Sequence, residues 1–227
     1  MILSLETSTS VCSLALHQEG LCLAEQVYNL PKSHATLMPE VIRQVLNNLS
    51  VQRSALEAIA ISDGPGSYTG LRIGTATGKG LCSALDIPLI SVNSLDIMIE
   101  EMRPIVAGIS YIAPMIDARR MEVYMKLVNK KGSELKDTRA VILTPDLFDN
   151  YIEYPILLVG DGARKCEGFI DHPHLKIVPD IYPRAQCMGI LAFQKFKEGS
   201  FENLQDFEPN YLKEFHTMPS KNPLGNL

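Results

Sequence analysis

The stretch Ala58–Leu85, AIAISDGPGSYTGLRIGTATGKGLCSAL, constrains this chain more than any other. An apolar, β-branched run through Ile59 and Ile61 ends at Ser62-Asp63, a Gly64-Pro65-Gly66 turn follows, and a helix-length segment comes next. Six of the chain's 15 glycines lie between Gly64 and Gly80. A glycine inside a helix costs roughly 0.5–1 kcal/mol relative to alanine, so Gly70, Gly74, Gly78 and Gly80 need a reason. The first three recur every fourth residue, which stacks them on one helix face. That face has no side chains, so another backbone can approach it. Two readings stay open: the helix is built to be touched by a partner, or the glycines let it sit tight on its own sheet. On the first reading, Gly74→Leu blocks pairing and leaves the monomer folded.

The rest of the chain reads as an α/β fold in two halves. Ile2–Thr7, Val11–Leu16 and Leu21–Val27 form an opening strand meander turning at His17–Gly20. Ser33 is a candidate N-cap for a helix over His34–Leu49. Its apolar positions, among them Leu37, Met38, Val41, Ile42, Val45 and Leu46, spread over about 180°, wider than the stripe of about 100° that packing on one sheet requires. The surplus suggests a second apolar contact, with another chain as one candidate. After the glycine helix come a strand at Leu89–Val92 and a helix from Ser94 to about Met102. A second series then opens with Ile112–Asp117 and Met121–Val128. Each series begins with a strand ending in an acid (Glu6; Asp117) and reaches a glycine turn 14 or 15 residues later (Gly20; Gly132). This weak repeat implies two copies of one sheet unit, residues 1–104 and 105–216, followed by a poorly ordered tail over 217–227. Strands near 140–143, 156–159 and 176–178 and a helix over Ala185–Lys197 complete the second half.

Several chemistries are excluded by spacing. Gly74–Gly80 is too short for a P-loop and has Gly80 where a magnesium-binding Ser or Thr belongs. Gly64–Gly70 is one residue off a dinucleotide fingerprint, and the next strand ends in Asn93-Ser94 without a carboxylate for a ribose. His34 has Leu37 and Met38 at the helical positions where a second metal ligand would stand, so no metal site is expected. His172-Pro173-His174 reads as a surface pair. Glu6 and Asp117 either flank a cleft or cap turns. Five scattered cysteines without a CxxC pair suit reduced thiols. With no basic leader and no apolar run long enough to span a bilayer, the expected place is the cytoplasm. A net charge of −5 disfavours a stand-alone nucleic-acid binder.

Taken together, Leu5–Leu16 (LETSTSVCSLAL), SHATLMPEV from Ser33, SDGPGSYTGLRIG from Ser62, IDARRMEVY from Ile116, Gly160-Asp161-Gly162 and PNYL from Pro209 resemble the bacterial TsaB (YeaZ) family over nearly the whole chain. That family helps to make the tRNA modification N6-threonylcarbamoyladenosine. Lys213 departs from it, standing where Arg usually follows PxYL. The resemblance implies two ribonuclease-H-like halves of the actin/Hsp70/sugar-kinase class. It also implies pairing with TsaD, which transfers threonylcarbamoyl to the adenosine beside the anticodon, self-pairing in isolation, and docking of the ATPase TsaE. The interface it implies uses the two long helices: Ser33, His34, Leu37, Met38, Val41, Tyr68, Gly70, Arg72, Gly74, Thr75, Gly78 and Lys79. A vestigial cleft would comprise Glu6, Thr7, Ser8, Asp117, Arg119, Gly160, Asp161 and Gly162. TsaD-like proteins carry HxxxH where this chain has one His, and nucleotide-binding members of the fold class have a glycine turn where this chain has Asp117-Ala-Arg-Arg-Met121. The expectation is therefore a non-catalytic subunit with no cofactor of its own, with ATP or ADP restricted to an interface with partners and tRNA met only through the complex. The alternative is a nucleotide-dependent or metallopeptidase-like enzyme of the same fold class.

Overall fold

A computed structural model describes residues 1–29 and 34–213; Ser33 and the tail 217–227 lie outside the described residues. The opening meander forms as β1 (Ile2–Glu6), β2 (Cys12–Gln18) and β3 (Leu21–Tyr28). Helix α1 (His34–Asn48) leads to β4 (Ala58–Gly64), and α2 (Tyr68–Leu85) leads to β5 (Leu89–Asn93). The sheet order is β3-β2-β1-β4-β5. Only β2 runs against the others, since β1 and β3 both pair it antiparallel while β4 and β5 follow β1 in parallel.

After α3 (Ser94–Met102), the second series gives β6 (Tyr111–Asp117), β7 (Glu122–Asn129), β8 (Glu134–Ile142), β9 (Ile156–Val159) and β10 (Leu175–Val178). Their order, β10-β9-β6-β7-β8, is the first sheet's order read from the other edge, with the same single antiparallel strand. The two sheets are thus copies of one ribonuclease-H-like unit, as the repeat of acid and glycine turn predicts. They differ in their connections. Where the first copy has α1 and α2, the second has single 3-10 turns at Asp149–Tyr151 and Asp161–Cys166.

The helices that end each copy fill the space between the sheets. Leu95, Met98, Ile99 and Met102 of α3 pack on Ile112, Ile116, Leu157 and Val159 of the second sheet. Helix α4 (Ala185–Glu198) follows the second sheet in sequence yet packs Met188 and Ala192 on Ile2, Ala60 and Val92 of the first. Sequence order and spatial placement part at this point. Among the described residues no helix is long and apolar enough to cross a membrane.

One expectation is corrected here. The wide apolar face of α1 is consumed within the chain: Met38, Val41, Ile42, Val45 and Leu46 are all buried with Leu14, Leu16, Ile59 and Ile61 of the sheet and with Cys82 of α2. One side of the stripe meets the sheet and the other meets α2, so two contacts account for its width. The polar segment after α4 is tied down by backbone bonds: Glu202 N–H to Leu89 O (2.9 Å) and Asn210 N–H to Asp63 O (2.7 Å). It then reaches the second half, where Lys213 Nζ donates to Ala118 O (3.2 Å).

Candidate functional site

Helix α2 starts where the sequence places it. The Ser67 hydroxyl accepts the Gly70 N–H (3.3 Å), and Ser67 N–H donates to Ser8 O (2.6 Å). These bonds lay the first turns of α2 across the turn that follows β1. A Cβ at Gly66 would lie 2.2 Å from Ser8 O, at Gly70 2.0 Å from Thr7 O, at Gly74 2.4 Å from Thr7 Oγ1, and at Gly78 2.7 Å from Ile61 Cγ2. The stripe therefore faces the chain's own sheet, and this corrects the partner-facing reading of Gly70, Gly74 and Gly78. The physical reason is that a glycine face admits any backbone, and the Thr7-Ser8 turn reaches it first. Gly74→Leu would strike the fold itself.

Of the residues expected at a partner interface, Met38, Val41, His34 and Thr75 are buried in this chain. Lys79 Nζ is held by Phe207 O (3.1 Å) and Gln205 O (3.5 Å). Leu37 and Tyr68 are half-buried and Arg72 is exposed, its guanidinium 5.6 Å from the centre of the Tyr68 ring. The outward face of α2 is carried instead by Thr69, Arg72, Ala76, Gly80, Ser83 and Ala84. Gly80 has nothing within 4 Å of where its Cβ would be. Ala76, Gly80 and Ala84 follow one another at four-residue spacing, an outer stripe of small residues opposite the inner one. The sequence carried the signal for it, because Gly80 lies two residues beyond Gly78, roughly 200° around the helix.

The cleft residues divide sharply. Glu6 has no exposed surface. Its Oε1 accepts the Ser8 N–H (2.6 Å), and among the described residues Oε2 and the Ser8 hydroxyl have no partner. Burial pushes the Glu6 carboxyl up to about 7 and, on the next strand, Asp63 up to about 6. Thr7 is spent on the helix, its hydroxyl donating to Gly70 O (2.8 Å). A residue closed over in this way lines no cleft. Asp117, in the equivalent place of the second copy, is exposed and accepts from Lys165 Nζ (2.6 Å) and from Arg119 N–H (2.5 Å). Its own N–H donates to Asp161 Oδ1 (2.9 Å), whose carboxyl burial raises. Gly160 and Gly162 press on the end of β6, with a Cβ at Gly160 only 2.2 Å from Met115 O. The structure thus joins Asp117, Arg119, Gly160, Asp161 and Gly162 in one group and leaves Glu6, Thr7 and Ser8 in another.

The turn between β6 and β7 takes both Arg119 (φ 68°) and Arg120 (φ 51°) into the left-handed region. Ala118 N–H to Glu122 O and Glu122 N–H to Arg119 O, both 3.2 Å, close it. Lys213 ion-pairs with Glu122 here. His34 is a lone imidazole, and no group of three or more His, Cys, Asp or Glu among the described residues could hold a metal. His172 is buried rather than on the surface, its ring bonded to Tyr151 O (3.2 Å). All five cysteines are free. Sequence reasoning missed the contribution of Asn210, Tyr211 and Lys213, although the PNYL motif that contains two of them stood out.

Residues 23–150 match the family model described as TsaD: tRNA N6-adenosine threonylcarbamoyltransferase. The chain is 36% identical over 135 residues to the tRNA threonylcarbamoyladenosine biosynthesis protein TsaB of Bacillus subtilis, a match covering 60% of this chain and 58% of that protein's length. It is 30% identical over 218 residues to TsaB of Buchnera aphidicola subsp. Schizaphis graminum, covering 91% and 98%. Its fold superposes on YeaZ from Pseudomonas aeruginosa with a TM-score of 0.79 at 29% identity, over 93% of this chain and 99% of that one.

Proposed function

This chain belongs to the TsaB family of tRNA threonylcarbamoyladenosine biosynthesis proteins, and from that premise we propose that it is a non-catalytic subunit that pairs with TsaD. In this role it holds TsaD competent to transfer threonylcarbamoyl to N6 of the tRNA adenosine beside the anticodon. The same surface would pair two copies of the chain in isolation, and TsaE, with ATP or ADP, would join at the interface of the complex.

The observation that carries this reading is Gly80. Three glycines of α2 are each forced by an atom of this chain, whereas Gly80 has open space and no positive φ to excuse it. A helix-interior glycine left unexplained by its own fold, flanked by Ala76 and Ala84 on an exposed face, suits close approach of a second helix. The non-catalytic part is supported by the chemistry of the strand ends. Glu6 is sealed from solvent, Asp117 is occupied by Lys165, and arginines fill the turn where a phosphate would need free backbone amides. The chain reaches the modification reaction by contact, not by supplying a reactive group.

The test is size-exclusion chromatography with light scattering on the chain mixed with the TsaD of the same genome. A one-to-one complex is expected, and Gly80→Leu should abolish it while leaving the melting temperature of the lone chain unchanged or slightly raised, since a helix-interior glycine with open space around it is replaced by a better helix former. A folded Gly80→Leu variant that pairs with unaltered affinity overturns the assignment of the interface.

A further inference from the structure

Although the chain carries a net charge of −5, cations and tyrosine rings follow one another across it in neighbouring pairs. Arg72 on α2 lies 5.6 Å from the centre of the Tyr68 ring. The Tyr68 and Tyr211 rings are 4.7 Å apart, tilted by 37°. Two residues on, Lys213 Nζ lies 5.8 Å from the Tyr124 ring on β7. The β6–β7 turn continues the series, with Arg119 acting electrostatically on Tyr124 and Arg120 on Lys213. The series runs from the first half, over the segment ending at Lys213, to the second half. Its three arginines are exposed and its three tyrosines half-exposed.

The acids nearby are mostly spent. Asp117 pairs with Lys165 and Glu122 with Lys213, which leaves Glu208 beside Tyr211. Arg72, Arg119 and Arg120 form no ion pair among the described residues. The turn adds a second, independent observation. Two consecutive residues at positive φ ask for glycine or asparagine, and arginine carries a steric penalty there. Backbone bonds hold the turn, but neither guanidinium makes a hydrogen bond or ion pair among the described residues, so the fold does not account for arginine at these two positions.

We propose that this ladder is a contact surface for an unpaired stretch of RNA, its phosphates meeting Arg119 and Arg120 and its bases stacking on Tyr211 and Tyr124. The choice of RNA rests on the family reading above, in which tRNA is the molecule modified. The chemistry agrees with it. A surface for an acidic protein needs only cations, whereas rings interleaved with cations suit single strands, where every base offers a face to stack on. The net charge of −5 does not oppose this, because it is a property of the whole chain and these arginines concentrate the opposite sign locally.

The experiment is fluorescence anisotropy with a labelled tRNA anticodon stem-loop over a range of salt, on the chain alone and on its complex with TsaD. The decisive variant is Arg119→Asn/Arg120→Gly, which removes both guanidinium groups and installs residues that tolerate positive φ, so the melting temperature should hold or rise. Stem-loop affinity should fall about tenfold in whichever form binds, and the slope of log K against log salt should shrink by about 1.4, two phosphate contacts of about 0.7 each for a single strand. Tyr211→Ala should weaken binding about tenfold without changing that slope. Absence of stem-loop binding in both forms, binding unchanged by the double variant, or displacement of the RNA by polyglutamate at equal charge each overturn the proposal. Light scattering on the same samples separates the two readings. Loss of pairing with TsaD would sink the functional assignment and leave the RNA result on the lone chain to stand or fall by itself.

Discussion

The ends of β1 and β6 occupy the same place in two copies of one sheet, and each presents an acid at the start of a turn. Their surroundings are opposite. In the first copy a full helix of 18 residues follows β4, and its glycines drop it onto Thr7 and Ser8 until Glu6 is sealed. In the second copy only a six-residue 3-10 segment follows β9. Gly160 and Gly162 make the same kind of close approach to Met115 and Ile116, but the segment is too short to cover Asp117. The same strand order thus supports a closed end and an open end, and the length of the following helix decides which. The closed end spends its acid on structure, while the open end keeps its acid and its arginines at the surface.

If that account is right, the largest effect comes from prising the closed end apart. Gly74→Leu would place a branched side chain where even a Cβ meets Thr7 Oγ1 at 2.4 Å. Neither the strand end nor the helix can move without breaking the Ser67 cap and the Thr7 bond to Gly70. We expect a loss of about 4 kcal/mol or more, beyond the usual penalty of overpacking, read as failure to fold or a collapse of the urea midpoint. A well-folded Gly74→Leu monomer would break the comparison at its root.

The next largest effect is protonic. Glu6 in the folded chain holds its proton up to about pH 7, whereas in the unfolded chain it releases it near 4.5. The native state therefore binds the extra proton between those values, so stability falls as pH rises from 4.5 to 7 and is lowest above 7. Glu6→Gln, neutral at every pH, should recover at most about 3 kcal/mol at pH 8 and nothing at pH 4. Denaturant titrations of both proteins across that range would show it. Asp63, raised to about 6 by the same burial, leaves a smaller slope of the same sign in the variant. Parallel pH profiles for the two proteins would mean that Glu6 is charged and compensated in the native state.

Much of this was legible in the sequence. Strand ends at Glu6 and Asp117 and the repeat of glycine turns give the two copies, because period-two apolar runs and turn residues act locally. The spacing of Gly70, Gly74 and Gly78 shows that something lies against that face, since an uncompensated glycine is costly, but spacing is silent on whose atoms they are. Thr7 O of the same chain satisfies the pattern as well as a partner's backbone would. The width of the α1 stripe was ambiguous in the same way, and α2 rather than another chain covers the surplus. The segment from Glu202 to Asn210 was least legible. Backbone bonds such as Asn210 N–H to Asp63 O hold it, and a backbone bond leaves no mark on side-chain composition. The turn at Arg119-Arg120 hid for a related reason, since arginine is not a residue from which positive φ is read.

The smallest expected effect tests the open end. Asp117→Asn removes a surface ion pair with Lys165, yet the amide oxygen can still accept the Arg119 N–H that shapes the turn. Asp117 is 45% exposed, so water screens the charge in both proteins. The change in stability should stay below about 1 kcal/mol and shrink further as salt is raised, in contrast to the buried acid, whose contribution follows pH. Equilibrium unfolding of Asp117→Asn and Glu6→Gln at low and high salt would place the two side by side. A cost at Asp117 rivalling the gain at Glu6, or one insensitive to salt, would mean that the second strand end is closed in solution and that helix length is not what separates the two copies. A small, salt-dependent cost would mean that the two acids, matched in sequence position, have been divided between holding the fold and leaving a surface free for contact.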